Sequence, residues 1–356
     1  MKILSSLLSV FVVATMIITG CSKSSNNNIP VERKKYAWVV GDQDSTGYGM
    51  ILFSADGGVT WVRQGQGSAA LQGIDVVDVF ALDENNVWAI SSLNVILRTL
   101  NGGQTWSRIP GPVHPSYPEL MAISIVNHTN LWISGSNGAV YNSIDGGNNW
   151  IMFDTTYFHR GGMQGIRAIN PQVVYVVGGY GGGTERGFIA RTMDGGASWD
   201  SITLTDDYNK HEWISVAATD LDHVVVYGVT THYAYTTNSG TTWINDSLEV
   251  GGGGGGADIN HLIMLDDQTW WAALDMGHIY LTEDGAASWI SQTITPSQGG
   301  MFLVGIDAYD RQLALSVGLI SGYPPAGSIV RTSDGGNVWE VTYTCKSSLS
   351  KVSFIK

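Results

Sequence analysis

An eight-residue pattern, opening on Ser or Thr and closing on Trp, recurs seven times along this chain of 356 residues. Its third position is Asp56, Asn101, Asp145, Asp194, Asn238, Asp284 and Asp334. Its tryptophans are Trp61, Trp106, Trp150, Trp199, Trp243, Trp289 and Trp339, so successive copies lie 44 to 50 residues apart. A fixed period of that length marks a repeat architecture, and it governs how every other segment is read. Each period has the same internal order. An apolar strand such as 76–82 comes first and a second such as 86–91 follows. A third, 95–100, runs into the Asp-Gly-Gly turn, and a fourth starts at the tryptophan. Four short strands per period describe one blade of a propeller. The Asp-Gly pair supplies the positive φ angles of a tight hairpin, and the Asp side chain can accept the turn's own N–H groups.

The fold class that follows is all-β: a seven-bladed β-propeller of four-stranded antiparallel blades. Residues 351–356 read as a first strand with nothing after it, and 36–41 as a second strand with nothing before it. Joined, they complete one blade from both ends and leave no free inner edge. Forty-five glycines and only 14% charged residues suit such a turn-rich chain. Three copies depart from the pattern, with Asn101 in the second, Asn238 and Ser239 in the fifth and Ala286 in the sixth. Those turns are expected to be weaker.

The seven copies resemble the Asp-box (BNR) repeats of sialidases, sortilin-type receptors and xyloglucan-cleaving glycosidases. The fuller unit, with Trp38-Val-Val-Gly41 ahead of the Ser54 to Trp61 copy, is similar to photosystem II assembly-factor-like propellers. The resemblance covers roughly residues 35–356 and specifies fold far better than function. It implies that the Asp-box turns form one rim and are structural, and that ligands meet the opposite face or the central channel.

The first residues read as an export signal. Lys2 precedes an apolar stretch, 4–18, that is short for a bilayer span. The stretch ends in Ile18-Thr19-Gly20-Cys21, which resembles a bacterial lipobox with Cys21 as the acylated residue. Residues 1–20 are therefore expected to be a lipoprotein signal peptide and 21–34 a polar tether to a propeller at 35–356. No Asp follows Cys21, a pattern that fits delivery to an outer membrane. Cys345 is the only other cysteine, so no internal disulfide is expected. A net charge of −13 excludes an ordinary nucleic-acid partner.

Function must be sought where the repeat breaks down. The loops leading into the first strands carry His114 and Tyr117, then Tyr157, His159 and Arg160, then Tyr208, His211 and Trp213. Aromatics beside His and Arg suit a protein or glycan ligand. Asp75, Glu119, Glu212 and Asp258 all fall near the start of a first strand, where they could form an acidic ring at the channel mouth. Such a ring could hold Ca²⁺. Glu119 and Glu212 could instead act as the paired carboxylates of a polysaccharide hydrolase or lyase. Neither a metal-ligand motif nor a phosphate-binding loop occurs, since the 251–256 glycine run lacks the following Lys-Ser/Thr. The leading expectation is a non-enzymatic binding or assembly module at the cell envelope, with a protein or glycan as partner. Arg98, Arg191 and Arg331 stand at one point of three repeats and are expected on the blade surface, not in a substrate clamp.

Overall fold

The computed structural model describes residues 34–113, 118–153, 158, 161–179, 187–204, 211–250, 257–292, 294, 300–320 and 326–356. They form seven four-stranded antiparallel sheets arranged as the blades of a propeller. We number the blades along the chain. Blade 1 combines Leu349–Phe354 with Ala37–Gly41, Met50–Ser54 and Val62–Arg63. Blades 2 to 7 have as their inner strands Val76–Ala81, Leu120–Ile125, Gly162–Ala168, Trp213–Ala218, Ile259–Met264 and Met301–Ala308. The expected closure is present: Ala37 pairs with Phe354, Val39 with Val352 and Val40 with Lys351. Leu349, Val352 and Phe354 of this closing strand are each at most 3% exposed.

The core is a set of wedges between neighbouring blades. Trp38, Leu71, Val79 and Leu97 fill the wedge between blades 1 and 2. Trp271, Leu281, Ile306 and Trp339 fill that between blades 6 and 7. A second strand is therefore covered on both faces, and Val87–Ser91, Leu131–Gly135 and Trp270–Leu274 are buried at every position. This explains why these strands read as continuous apolar runs instead of alternating, as strands buried on both faces do. Fourth strands lie outermost, and Ser107–Ile109, Ile151–Met152 and Asp200–Ile202 contain no buried residue.

All seven Asp-box turns lie on one rim, each tied to a neighbouring segment of its own blade. Gly102, Gly146, Gly195, Gly285 and Gly335 donate N–H bonds to the turns between first and second strands. Within the turn at Asp194, the carboxylate accepts Ser198 N–H at 2.8 Å and Ser198 Oγ–H at 2.6 Å, while Thr192 Oγ1 accepts Gly196 N–H. These bonds hold the Asp194 carboxyl below the usual range. The Asn copies keep the geometry: Asn101 and Asn238 accept the equivalent N–H and donate their amide to Thr105 and Thr242. The bond set of these turns is thus kept, because an amide can reverse the last bond without losing it.

The second glycine of the turn has a packing reason. A Cβ on Gly147 would stand 2.9 Å from the Trp88 ring, and one on Gly336 3.0 Å from that of Trp271, each in the preceding blade. Ala286 holds this place in blade 6 with φ 73°. There the preceding blade presents Val225, which shares its cluster, at the register position of Trp88. A smaller neighbour makes room for the methyl. The repeated arginines also differ from expectation. Arg191 donates to Ser239 O at 2.5 Å and Arg331 to Gly57 O at 2.9 Å, each in the next blade's turn. Arg98 lies over the Trp88 ring at 4.4 Å. Arg191 and Arg331 thus bind blade to blade, while Arg98 stays within blade 2 on Trp88 and Asn86.

Candidate functional site: the loop face and the channel

Loops joining the fourth strand of one blade to the inner strand of the next, and second strands to third, form the face opposite the Asp-box rim. His114, Tyr117, Tyr157, His159, Arg160 and Tyr208 lie outside the described residues, as does Cys21. Among the described candidates, Asp75, Glu119, Glu212 and Asp258 each stand one residue before an inner strand, in blades 2, 3, 5 and 6. Three of these carboxylates reach back to the preceding blade. Asp75 accepts Gln43 N–H at 2.8 Å, Glu212 accepts Gln164 Nε2–H at 3.2 Å and Asp258 accepts Thr230 N–H at 2.8 Å. Glu119 is exposed, with its own N–H on Ser136 Oγ. Among the described residues no group of three or more His, Cys, Asp or Glu is placed to hold one metal ion.

His211 stacks on His232 with ring centres 3.9 Å apart. Thr230 Oγ1 lies 3.3 Å from His211 Nδ1 and 2.8 Å from His232 Nδ1. Thr230 and Thr231 both have positive φ, at 56° and 63°, a costly backbone for β-branched residues. Such local strain is found where surrounding structure holds a loop in one shape. Trp213, expected from the sequence on this face, is instead fully buried. It is the first residue of the blade 5 inner strand, and its side chain turns into the wedge with Val177, Ile189 and Ala234. Trp213 is a core residue and is corrected as such.

Sequence reasoning named the central channel and its mouth but missed the residues inside it. The inner strands enclose a cavity of about 410 Å³. Each has a register shift near its start, and the residue just past it is Asp78, Ala122, Gly165, Ser215, His261 or Gly305 in blades 2 to 7. Lys351 is the counterpart in blade 1. Two residues further come Ser124, Arg167, Asp307 and Ser353. These side chains sew neighbouring blades together. Asp78 accepts Ile123 N–H at 2.9 Å, Ser124 accepts Ala168 N–H at 3.0 Å, Asp307 accepts Phe354 N–H at 2.8 Å and Ser353 accepts Ala81 N–H at 3.1 Å. Burial raises the Asp78 carboxyl, lowers the Lys351 ammonium and holds His261 well below its ordinary 6.5. A single titratable residue inside each of five otherwise apolar or neutral segments is the signal that could have found them.

Residues 22–154 match the family of the photosynthesis system II assembly factor YCF48. No protein of curated function matches the chain. Among solved structures, YCF48 bound to D1 peptide is 16% identical with a TM-score of 0.57, over 75% of this chain and 81% of that one. YCF48 from Cyanidioschyzon merolae is 19% identical with a TM-score of 0.57, over 86% and 95%. A GH74 xyloglucanase from Xanthomonas campestris is 15% identical with a TM-score of 0.55, over 75% of this chain but 45% of the enzyme. Likeness at these identities is likeness of fold. The chain is a seven-bladed Asp-box β-propeller, and over residues 22–154 it resembles the assembly factor YCF48.

Proposed function

We propose that the chain is a non-catalytic binding or assembly module that receives a protein segment on its loop face and is held at a bacterial envelope, on an outer membrane, by a lipid on Cys21. The observation that carries the reading is the match to YCF48, a propeller whose solved structure holds a peptide. The contrast between seven near-identical rim turns and a face whose fourth-to-first-strand connections vary in length from blade to blade supports it. In the test, a photo-crosslinking amino acid replaces His232 on the face or Ile144 on the rim of the full chain in cells. Adducts with one defined protein from position 232 alone support the reading. Equal adducts from both positions overturn it. Loss of membrane retention in Cys21→Ser tests the anchor separately.

A polysaccharide hydrolase is the second reading, supported by the fold shared with the GH74 xyloglucanase. It needs two carboxylates about 5 to 10 Å apart across a sugar. Glu119 and Glu212 stand in blades 3 and 5, and Glu212 is engaged by Gln164. Xyloglucan cleavage that Glu212→Gln abolishes by orders of magnitude, with glycan binding retained, would decide for the enzyme.

A further inference from the structure

We propose that the central channel binds a small dianionic organic acid, one anionic group on Lys351 and the other on Arg167. The site is independent of the loop-face reading. Its volume, about 410 Å³, lies within the range of small-molecule sites. Small residues at three of the bulge positions, Ala122, Gly165 and Gly305, leave room across it.

Hydrogen-bond accounting decides the charge of the ligand. Both carboxylates that face the cavity are engaged by the protein. Asp78 accepts Val79 N–H and Ile123 N–H, each at 2.9 Å. Asp307 accepts Ala308 N–H at 2.9 Å, Phe354 N–H at 2.8 Å and the Lys356 ammonium at 2.8 Å. His261 Nδ1 lies 2.7 Å from Ile306 O. The cations are less engaged. Arg167 Nη2 donates to Ala218 O at 3.0 Å, and its other N–H groups make no hydrogen bond among the described residues. Lys351 makes neither a hydrogen bond nor an ion pair among them. The surplus is one of donors, on blades 1 and 4, nearly opposite each other in a ring of seven.

Such a surplus is costly to keep empty: Asp78 and Asp307 attract the Lys351 charge, but among the described residues no acceptor replaces the hydrogen bonds its ammonium gave to water. An oxyanion restores it with charge-assisted bonds. The channel also differs in sign from the rest of the molecule. Three cations and two carboxylates line it, inside a chain of net charge −13. A cation ligand would have to compete with two N–H bonds on Asp78, and with two N–H bonds and the Lys356 ammonium on Asp307.

Titration calorimetry of the full chain with succinate and with inorganic phosphate tests the assignment. Saturable binding is expected for succinate, weakened about tenfold or more by Lys351→Met and by Arg167→Gln, and retained by Lys351→Arg, whereas binding of phosphate without succinate overturns the bridging assignment. Melting curves establish that each variant is folded, and His211→Ala on the loop face serves as the unaffected control. If Lys351→Met does not fold, Arg167→Gln and Lys351→Arg carry the comparison. Absence of saturable binding up to about 10 mM overturns the proposal, as does binding that both Arg167→Gln and Lys351→Met leave unchanged. Tight Ca²⁺ binding abolished by Asp78→Asn would overturn it in favour of a cation site.

Discussion

The Asp-box rim and the loop face are made by the same seven blades, yet they obey different rules. On the rim every turn repeats one set of bonds, and its polar side chain is engaged by its own backbone, whether Asp194 or Asn238. On the face, Asp75 and Asp258 each accept a backbone N–H from the preceding blade's loop, of Gln43 and of Thr230, whereas Glu212 meets the Gln164 side chain and Glu119 stands exposed. A repeated contact serves what all blades need, which is stability and spacing. A contact made once is free to serve a ligand. His211 and Trp213 bring the boundary between these rules within two residues.

The largest effect should come from removing residues 349–356. Leu349, Val352 and Phe354 are buried, and at about 1.5–3 kcal/mol for each side chain the loss reaches about 5 kcal/mol or more. Chemical denaturation checks it, and a truncated chain as stable as the intact one would mean that the ring closes otherwise. Next, Trp213→Ala should cost about 3–5 kcal/mol, as large core truncations do. Its neighbour in the comparison, His211→Ala, belongs at the other end of the scale.

Gly147→Ala should cost about 2–3 kcal/mol, since φ is 86° and Trp88 blocks the new methyl. Ala286→Gly should change stability by less than about 1 kcal/mol, because relief of the left-handed backbone is offset by lost packing on Val225. Equal losses in both variants would break the account of the rim. For the channel, His261 is held neutral by burial, so the unfolded chain takes up a proton that the folded one refuses. Stability should then fall as pH drops below about 6.5, by on the order of 1 kcal/mol per unit. His261→Gln should flatten that slope while leaving the loss at lower pH, where Asp56 and Asp194, both held below 3.8 in the fold, become protonated. The smallest effect is His211→Ala, within about 0.5 kcal/mol of wild type by thermal melting. A large loss would place His211 with Trp213 in the core.

The blade count, the rim and the closing strand were legible because each depends on local residue identities that recur. Trp213 was misplaced because a strand's first residue and a loop's last look alike until register is known. The acidic positions 75, 119, 212 and 258 could be aligned by counting from each tryptophan, but the partners of the Asp75, Glu212 and Asp258 carboxylates lie on other blades. The lining of the channel was illegible for a stronger reason. Asp78, Arg167, His261, Asp307 and Lys351 stand in five separate strands and meet only once the ring is closed. Nothing local announces that meeting.

Both ends of the ring leave it on one side. Lys35 pairs beside Asp56, Gly57 donates to Lys35 O, and Ile355 donates to Tyr36 O, all at the Asp-box rim. A support grafted to either end, whether a lipid, a resin or a fused protein, therefore takes hold of the rim. The variable loops then point outboard like the open side of a dish.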